Sequence, residues 1–144
     1  MTSLTLGTIK RLVAGGESET LELKRTTGEL REAMQTLCGF LNHRGGVVLF
    51  GVAADGTIVG QDVRDGTLRD VATALRDIDP APQVEVQRFA VGGGRSVLAL
   101  RAPGGGAVPF TYDGRAFIRV GNTTRRMRRE EYERLLLGRL HAKH

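Results

Sequence analysis

Three glutamates and a lysine crowd the segment Glu17-Ser18-Glu19-Thr20-Leu21-Glu22-Leu23-Lys24. Leu21 and Leu23 alternate with Glu22 and Lys24. A strand over residues 20–24 therefore puts its leucines on one side and a carboxylate and an ammonium on the other. A strand-borne Glu-x-Lys is a pattern with which metal-dependent nucleases hold Mg2+ and orient the attacking water. Such a hard cation takes oxygen ligands, commonly several carboxylates. Glu17, five residues before Glu22, could bend in as a second one. The plainer alternative is a structural Glu22–Lys24 ion pair with Glu17 on the surface.

A second chemistry lies at the other end. Residues 115–144 hold nine of the 21 Lys and Arg and three acids, a net +6, while the rest of the chain carries −1. A basic block at one end is the electrostatic footprint of a polyanion. Arg119, Thr123, Thr124 and Arg125 stand where a strand gives way to the closing helix. Hydroxyls, backbone amides before a helix and guanidiniums together make a phosphate-contact set. Arg126, Arg128 and Arg129 extend it, and Lys24 and Arg44 add cations beside Gly45-Gly46. The competing reading is a helix cap with solvated arginines.

Composition removes other chemistries. Aromatic residues are 5% and Trp is absent, which argues against a broad platform for stacking bases. The single cysteine, Cys38, rules out an internal disulfide and a multi-cysteine zinc site; on the apolar face of a helix it reads as a buried thiol. His43 has no His or Cys near it in sequence to share a metal. Gly92-Gly93-Gly94 and Gly104-Gly105-Gly106 lack the Lys-Ser/Thr of a nucleotide loop and read as hairpin and loop, so no ATPase motif is present. No apolar run approaches the ~20 residues of a membrane span, and residues 1–10 lack a signal-peptide core. A cytoplasmic protein with no membrane partner is expected.

The elements that must position these residues follow from periodicity. Helices are predicted over residues 4–13, 29–43, 65–78 and 129–140; Leu30, Met34, Leu37, Cys38 and Leu41 form one helical stripe. Residues 47–52 are apolar on both faces and read as a central strand, with 57–59 as a short partner after Asp55-Gly56. Residues 83–89 and 96–101 form a hairpin, Val84 and Val86 facing in, and 102–107 a loose loop. Asp113-Gly114 signals a type I′ turn between arms at 110–112 and 116–120. Gly45 is expected to end the second helix with positive φ, and Gly46 to allow a close approach. Asn42 is expected to bond nearby carbonyls or the turn, and Gly51 and Gly121 to serve as backbone hinges. The class is α+β, one domain over residues 1–144, with a mixed or antiparallel sheet against three to four helices.

Taken in order, Glu17-Ser18…Leu21-Glu22-Leu23-Lys24, Phe40…Asn42…Gly45-Gly46…Gly51-Val52, Asp55-Gly56…Ile58…Gly60, Ile78-Asp79-Pro80, Arg119-Val120-Gly121…Thr124 and Glu130-Glu131 resemble the Schlafen-type AlbA-like domain. The match spans about residues 13–137. Leu23 stands where an aromatic is usual, His43 where Thr or Ser is usual, and Phe117 where Tyr is usual. The resemblance implies a domain binding DNA or RNA, often within transcription regulators. In relatives that cut RNA, two acids occupy what look like the Glu17 and Glu22 positions. Their third acid follows the Gly-Val that ends the strand. Here Ala53-Ala54 come first and Asp55 is the nearest acid, so a nuclease of this type would use Glu17, Glu22 and Asp55 with Mg2+ or Mn2+, and Lys24 beside them. A homodimer through sheet edges or the last helix is a third reading.

Overall fold

The computed structural model describes residues 3–105 and 109–142, the last four of these by backbone alone. Part of the predicted 102–107 loop and the side chain of Leu140 therefore lie outside the described residues. Helix α1 (Leu6–Ala14) starts at Thr5, whose hydroxyl accepts from the Thr8 amide at 3.1 Å while the Thr8 hydroxyl accepts from the Thr5 amide at 2.7 Å. This reciprocal cap fixes the first turn. Next come β1 (Leu21–Lys24), a 3-10 turn (Thr27–Glu29), α2 (Leu30–Leu41) and β2 (Gly45–Phe50). Then follow α3 (Asp65–Leu75), β3 (Ile78–Asp79), β4 (Glu85–Gly92), β5 (Arg95–Pro103), β6 (Thr111–Tyr112), β7 (Phe117–Val120), β8 (Thr123–Arg126) and α4 (Arg129–Ala142).

The main sheet has the order β1-β2-β5-β4. β1 and β2 are parallel and joined through α2; the other pairs are antiparallel. Successive side chains on a strand point to opposite faces, so register decides which residues meet. Glu22, Val48 and Leu100 make one cross-strand row. With Phe50 and Leu98, the apolar members of that row pack on Met34, Leu37 and Leu41 of α2. The neighbouring row, Leu23–Leu49–Ala99, faces the other way, onto Ile9 and Val13 of α1. Helices on both faces explain why β2 is apolar throughout. They also explain why Glu22 is buried: it points to the side that α2 covers.

Gly45 has the expected positive φ, +81°, but not the expected place. Helix α2 ends four residues earlier, with Asn42 donating its amide to the Cys38 carbonyl at 3.1 Å, and Gly45 opens β2. A Cβ on Gly45 would sit 2.6 Å from the Ala102 carbonyl oxygen; one on Gly46 would sit 2.8 Å from both the Phe40 ring and the Thr20 carbonyl oxygen. The pair of glycines is thus what lets the end of β5 and the α2 ring close on β2.

Five further expectations change. The Asp113-Gly114 turn forms, with φ of +51° and +78° as type I′ requires, closed by Tyr112 and Arg115 exchanging backbone bonds at 2.8 and 3.0 Å. Its arms then diverge: β6 pairs with β3, and β7 pairs with β8. β8 itself was expected to be an approach to the helix; instead Gly121 takes φ +59° at the first central position of a tight β7–β8 turn. β5 runs through Pro103 into the predicted loop, and residues 57–59 contribute a single bridge, Val52 to Ile58. On β4, Val86 is 42% exposed rather than buried. The class is α+β, as expected. Among the described residues no helix is long and apolar enough to cross a membrane.

Candidate nucleic-acid interface

β1 is an edge strand with one neighbour. The Thr20 carbonyl accepts from the Val47 amide of β2 and the Lys24 carbonyl from the Gly51 and Val52 amides just past it, so Leu21 and Leu23 turn their backbone groups to the open edge, where unpaired N–H and C=O groups are a liability. A backbone bridge from Ser18 to Leu21, at 3.0 and 3.4 Å, and two side chains fill that edge. The Leu23 amide donates to Glu17 Oε2 at 3.0 Å. Arg119, from β7, donates to the Leu21 carbonyl at 3.1 Å and to the Ser18 carbonyl at 2.8 and 3.2 Å. Its remaining bonds go to Glu22 Oε1 at 3.1 Å and Thr124 Oγ1 at 3.0 Å, and its guanidinium lies 5.2 Å from the centre of the Phe40 ring. The Arg119 side chain is 1% exposed. Predicted as a phosphate contact, it stands in for the missing strand. Thr124 also bonds the Thr36 hydroxyl, at 2.9 Å, and is occupied likewise.

Burial, and next the hydrogen-bonded Glu17 carboxyl, push the Glu22 pKa above its ordinary value of 4.5, against the charges of Arg119 and Lys24. Lys24 Nζ is 3.3 Å from Glu22 and 3.8 Å from Glu29. Glu17 and Glu22 are therefore brought together as expected. Asp55 is not: it is exposed, its Oδ1 accepts from the Thr57 amide at 2.9 Å, and that turn bond is the main reason its pKa is lowered. No group of three His, Cys, Asp or Glu side chains that could hold a metal ion occurs among the described residues. Two carboxylates, committed to an amide, a lysine and an arginine, do not fit a divalent ion that needs several oxygen ligands.

A carboxyl with a raised folded pKa stabilises the fold most when protonated. Its contribution is present below pH 4.5 and is lost as pH rises through the raised value. Glu131 is the opposite case. Two bonds from Arg125 and one from the Arg128 amide hold it at about 2, so its contribution is present above 4.5 and lost as pH falls towards 2. Unfolding free energy measured across about pH 4 to 7 is thus expected to contain a downward step that Glu22→Gln removes. Comparing wild type with the variant separates this step from those of other groups. Identical pH slopes would show that Glu22 does not carry the step.

The remaining cations divide by occupation. Arg125 grips Glu131 in a two-point pair at 2.8 and 2.7 Å. Glu131 also takes the Arg128 amide at 2.8 Å, so the first turn of α4 is capped from within and the predicted backbone contact for phosphate is filled. The exposed Thr123 donates to the Val120 carbonyl at 2.9 Å. Arg129 pairs with Glu133 one turn on at 3.0 Å, yet its side chain is 90% exposed. Arg126 and Arg128 are exposed, and neither guanidinium makes a hydrogen bond or ion pair among the described residues. Arg44 is 67% exposed and 3.6 Å from Glu19, which also bonds His43.

Asn42 reaches further than expected: it bonds backbone groups of Phe110 and Phe117, some seventy residues on. Cys38 is buried and its thiol is pushed up to about 11 by burial, the state of an inert thiol. The sequence reading passed over Glu19, the partner of His43, and Arg101, the charge within the otherwise apolar run of β5. The second left a signal, since a lone arginine in a two-sided apolar strand must reach a counter-charge; here it is Glu85, at 3.2 Å.

The fold is similar to that of the DIP2311 protein from Corynebacterium diphtheriae, with a TM-score of 0.61 and 21% identity, over 90% of this chain and 27% of that one. It is also similar to the N-terminal domain of an ATP-dependent DNA helicase RecG-related protein from Nitrosomonas europaea, with a TM-score of 0.57 and 23% identity, over 88% of this chain and 95% of that one. The chain thus spans about a quarter of the length of the first. Comparison with curated proteins gives no match. Residues 17–128 match the model of the family described as Schlafen, AlbA_2, and they run from the glutamate that closes the β1 edge to the arginine that precedes α4: the chain belongs to that family.

Proposed function

We propose that this domain binds nucleic acid through its phosphates, using Arg126, Arg128 and Arg129 at the junction of β8 and α4, with Arg44 beside the Gly45-Gly46 turn. The observation that carries this reading is the exposure of Arg126 and Arg128 with guanidiniums uncommitted among the described residues, while Arg119 and Arg125 nearby are bound internally. An arginine that solvates itself at no structural cost is available to a phosphate. Family membership supports the reading, as does the helicase-related neighbour. A role in transcription regulation would be one use of such a domain. The nuclease alternative draws no support from the carboxylates, which lack a third ligand.

Four phosphates neutralised by these four arginines give a slope of log K against log salt of about −3 to −4. The double variant Arg126→Ala/Arg128→Ala is expected to flatten that slope by about two units, with little change in melting temperature. Fluorescence anisotropy over a salt series checks it. Affinity that ignores salt in the wild type would remove the proposal.

A further inference from the structure

On the α1 face of the sheet, the row Leu21–Val47–Arg101–Glu85 lies next to the one that α1 packs against. A groove of about 700 Å³ opens there, between Leu12 of α1, Thr20, the Arg44–Val47 segment, Pro82 and the chain that leads into β4, and the end of β5. That volume is in the range of ligand sites, roughly 300–1,000 Å³. Its chemistry is mixed in a particular way. Leu12, 38% exposed, and Val47 offer an apolar wall. Arg44 stands at the rim, and Arg101 lies inside, held by Glu85. Thr20 and Gln83 are exposed on the same rim, and their side chains make no hydrogen bond to another described residue.

An apolar wall, a guanidinium at the rim and an amide carrying both donors and an acceptor match the three parts of a nucleotide: base face, phosphate and base edge. The groove is also tied to the β7–β8 ribbon: Thr20 lines it, and Ser18, two residues before, is held by Arg119. We infer that the groove takes one unstacked nucleotide of the bound strand, its phosphate at Arg44, its base on Leu12 and Val47, and its edge read by Gln83 and Thr20. The inference rests on the nucleic-acid reading above and narrows it to single-stranded or looped nucleic acid, because a duplex keeps its bases stacked away from such a groove.

The test compares a labelled mixed-sequence single strand with the blunt duplex made from it, at one salt concentration. Wild type is expected to bind the single strand about tenfold more tightly. Thr20→Val/Gln83→Ala removes two rim contacts and is expected to weaken single-strand binding by about 10-fold, leaving duplex affinity and the salt slope unchanged. Equal wild-type affinity for strand and duplex overturns the inference, as does a double variant that weakens neither or both alike. A nucleoside monophosphate titrated into labelled protein should move the Gly45, Gly46 and Ala102 amide resonances; undisturbed amides there count against the groove. If the Arg126→Ala/Arg128→Ala variant loses binding while the groove variant does not, the interface stands and the groove inference falls. If wild type binds no strand at all, both fall.

Discussion

Replacing Arg119 with methionine is expected to remove about 3–5 kcal/mol of stability, the range found when one partner of a buried ion pair is deleted. Methionine keeps much of the side-chain volume over Phe40 but supplies no donor. The Ser18 and Leu21 carbonyls would keep only each other's amides, at 3.4 and 3.0 Å, and the buried Glu22 carboxylate only Lys24. Folded domains hold about 5–15 kcal/mol in total, so the loss would take a large share of it. Glu22 has a way to soften the blow, since its pKa already lies above the ordinary value and it can take up a proton. Arg119→Met/Glu22→Gln should therefore recover part of the loss at neutral pH, a non-additivity that contacting residues show. Urea unfolding of the two variants measures this. Hydrogen exchange at the Leu23 amide reports the β1 edge directly. A single-variant loss below about 1 kcal/mol would mean that the guanidinium does not hold that edge.

Asn42→Ala is expected to cost a similar amount, about 3–5 kcal/mol, by a different route. The amide is 5% exposed. Its Nδ2 donates to the Phe110 and Phe117 carbonyls, both at 2.9 Å, and its Oδ1 accepts from the Phe110 amide at 2.6 Å. Three buried backbone groups from two distant segments thus depend on one side chain. Truncation leaves the Phe117 carbonyl and the Phe110 amide without that partner and the Phe110 carbonyl with only the weak Cys38 thiol donor at 3.4 Å, and a stranded group costs about 1–3 kcal/mol. Asn42→Asp keeps the shape, removes both donors and adds a charge, so it should be no better than alanine. Thermal melts of the two variants, with near-ultraviolet dichroism to report packing, provide the check. A small shift in the alanine variant would show that water reaches these groups.

Both predictions concern residues that the sequence singled out, but in one case for the wrong chemistry. Arg119 carries the same formal charge as Arg126, seven residues on. By register both lie on one face of the ribbon, Arg126 opposite Phe117 and Arg119 opposite Thr124, yet Arg119 is buried against β1 and Arg126, the last residue of β8, is exposed. Charge density along the chain cannot separate them. The packing of β7 against the β1 edge does, and the β7–β8 pairing was concealed because Thr123-Thr124-Arg125-Arg126 carries no apolar alternation.

Local pattern alone determined a good deal. The 3.6-residue stripe of α2, the two-sided apolar run of β2, the Asp113-Gly114 turn and the closing helix could all be read from residue type and spacing, since each is fixed by interactions within a few residues. The family could be read as well, from the order of short motifs over most of the chain. Tertiary structure decided what those motifs are for. Glu17, Glu22 and Arg119 meet because β1 lies at the edge of a sheet whose order follows from no single segment, and Glu22 is buried because the parallel register puts it on the face that α2 covers. Asp55 lies three residues after Val52, yet a turn carries it away from the two glutamates. Which charges are spent inside the protein and which remain for a partner is a property of long-range pairing, and pairing energies that compete across a hundred residues leave no local trace.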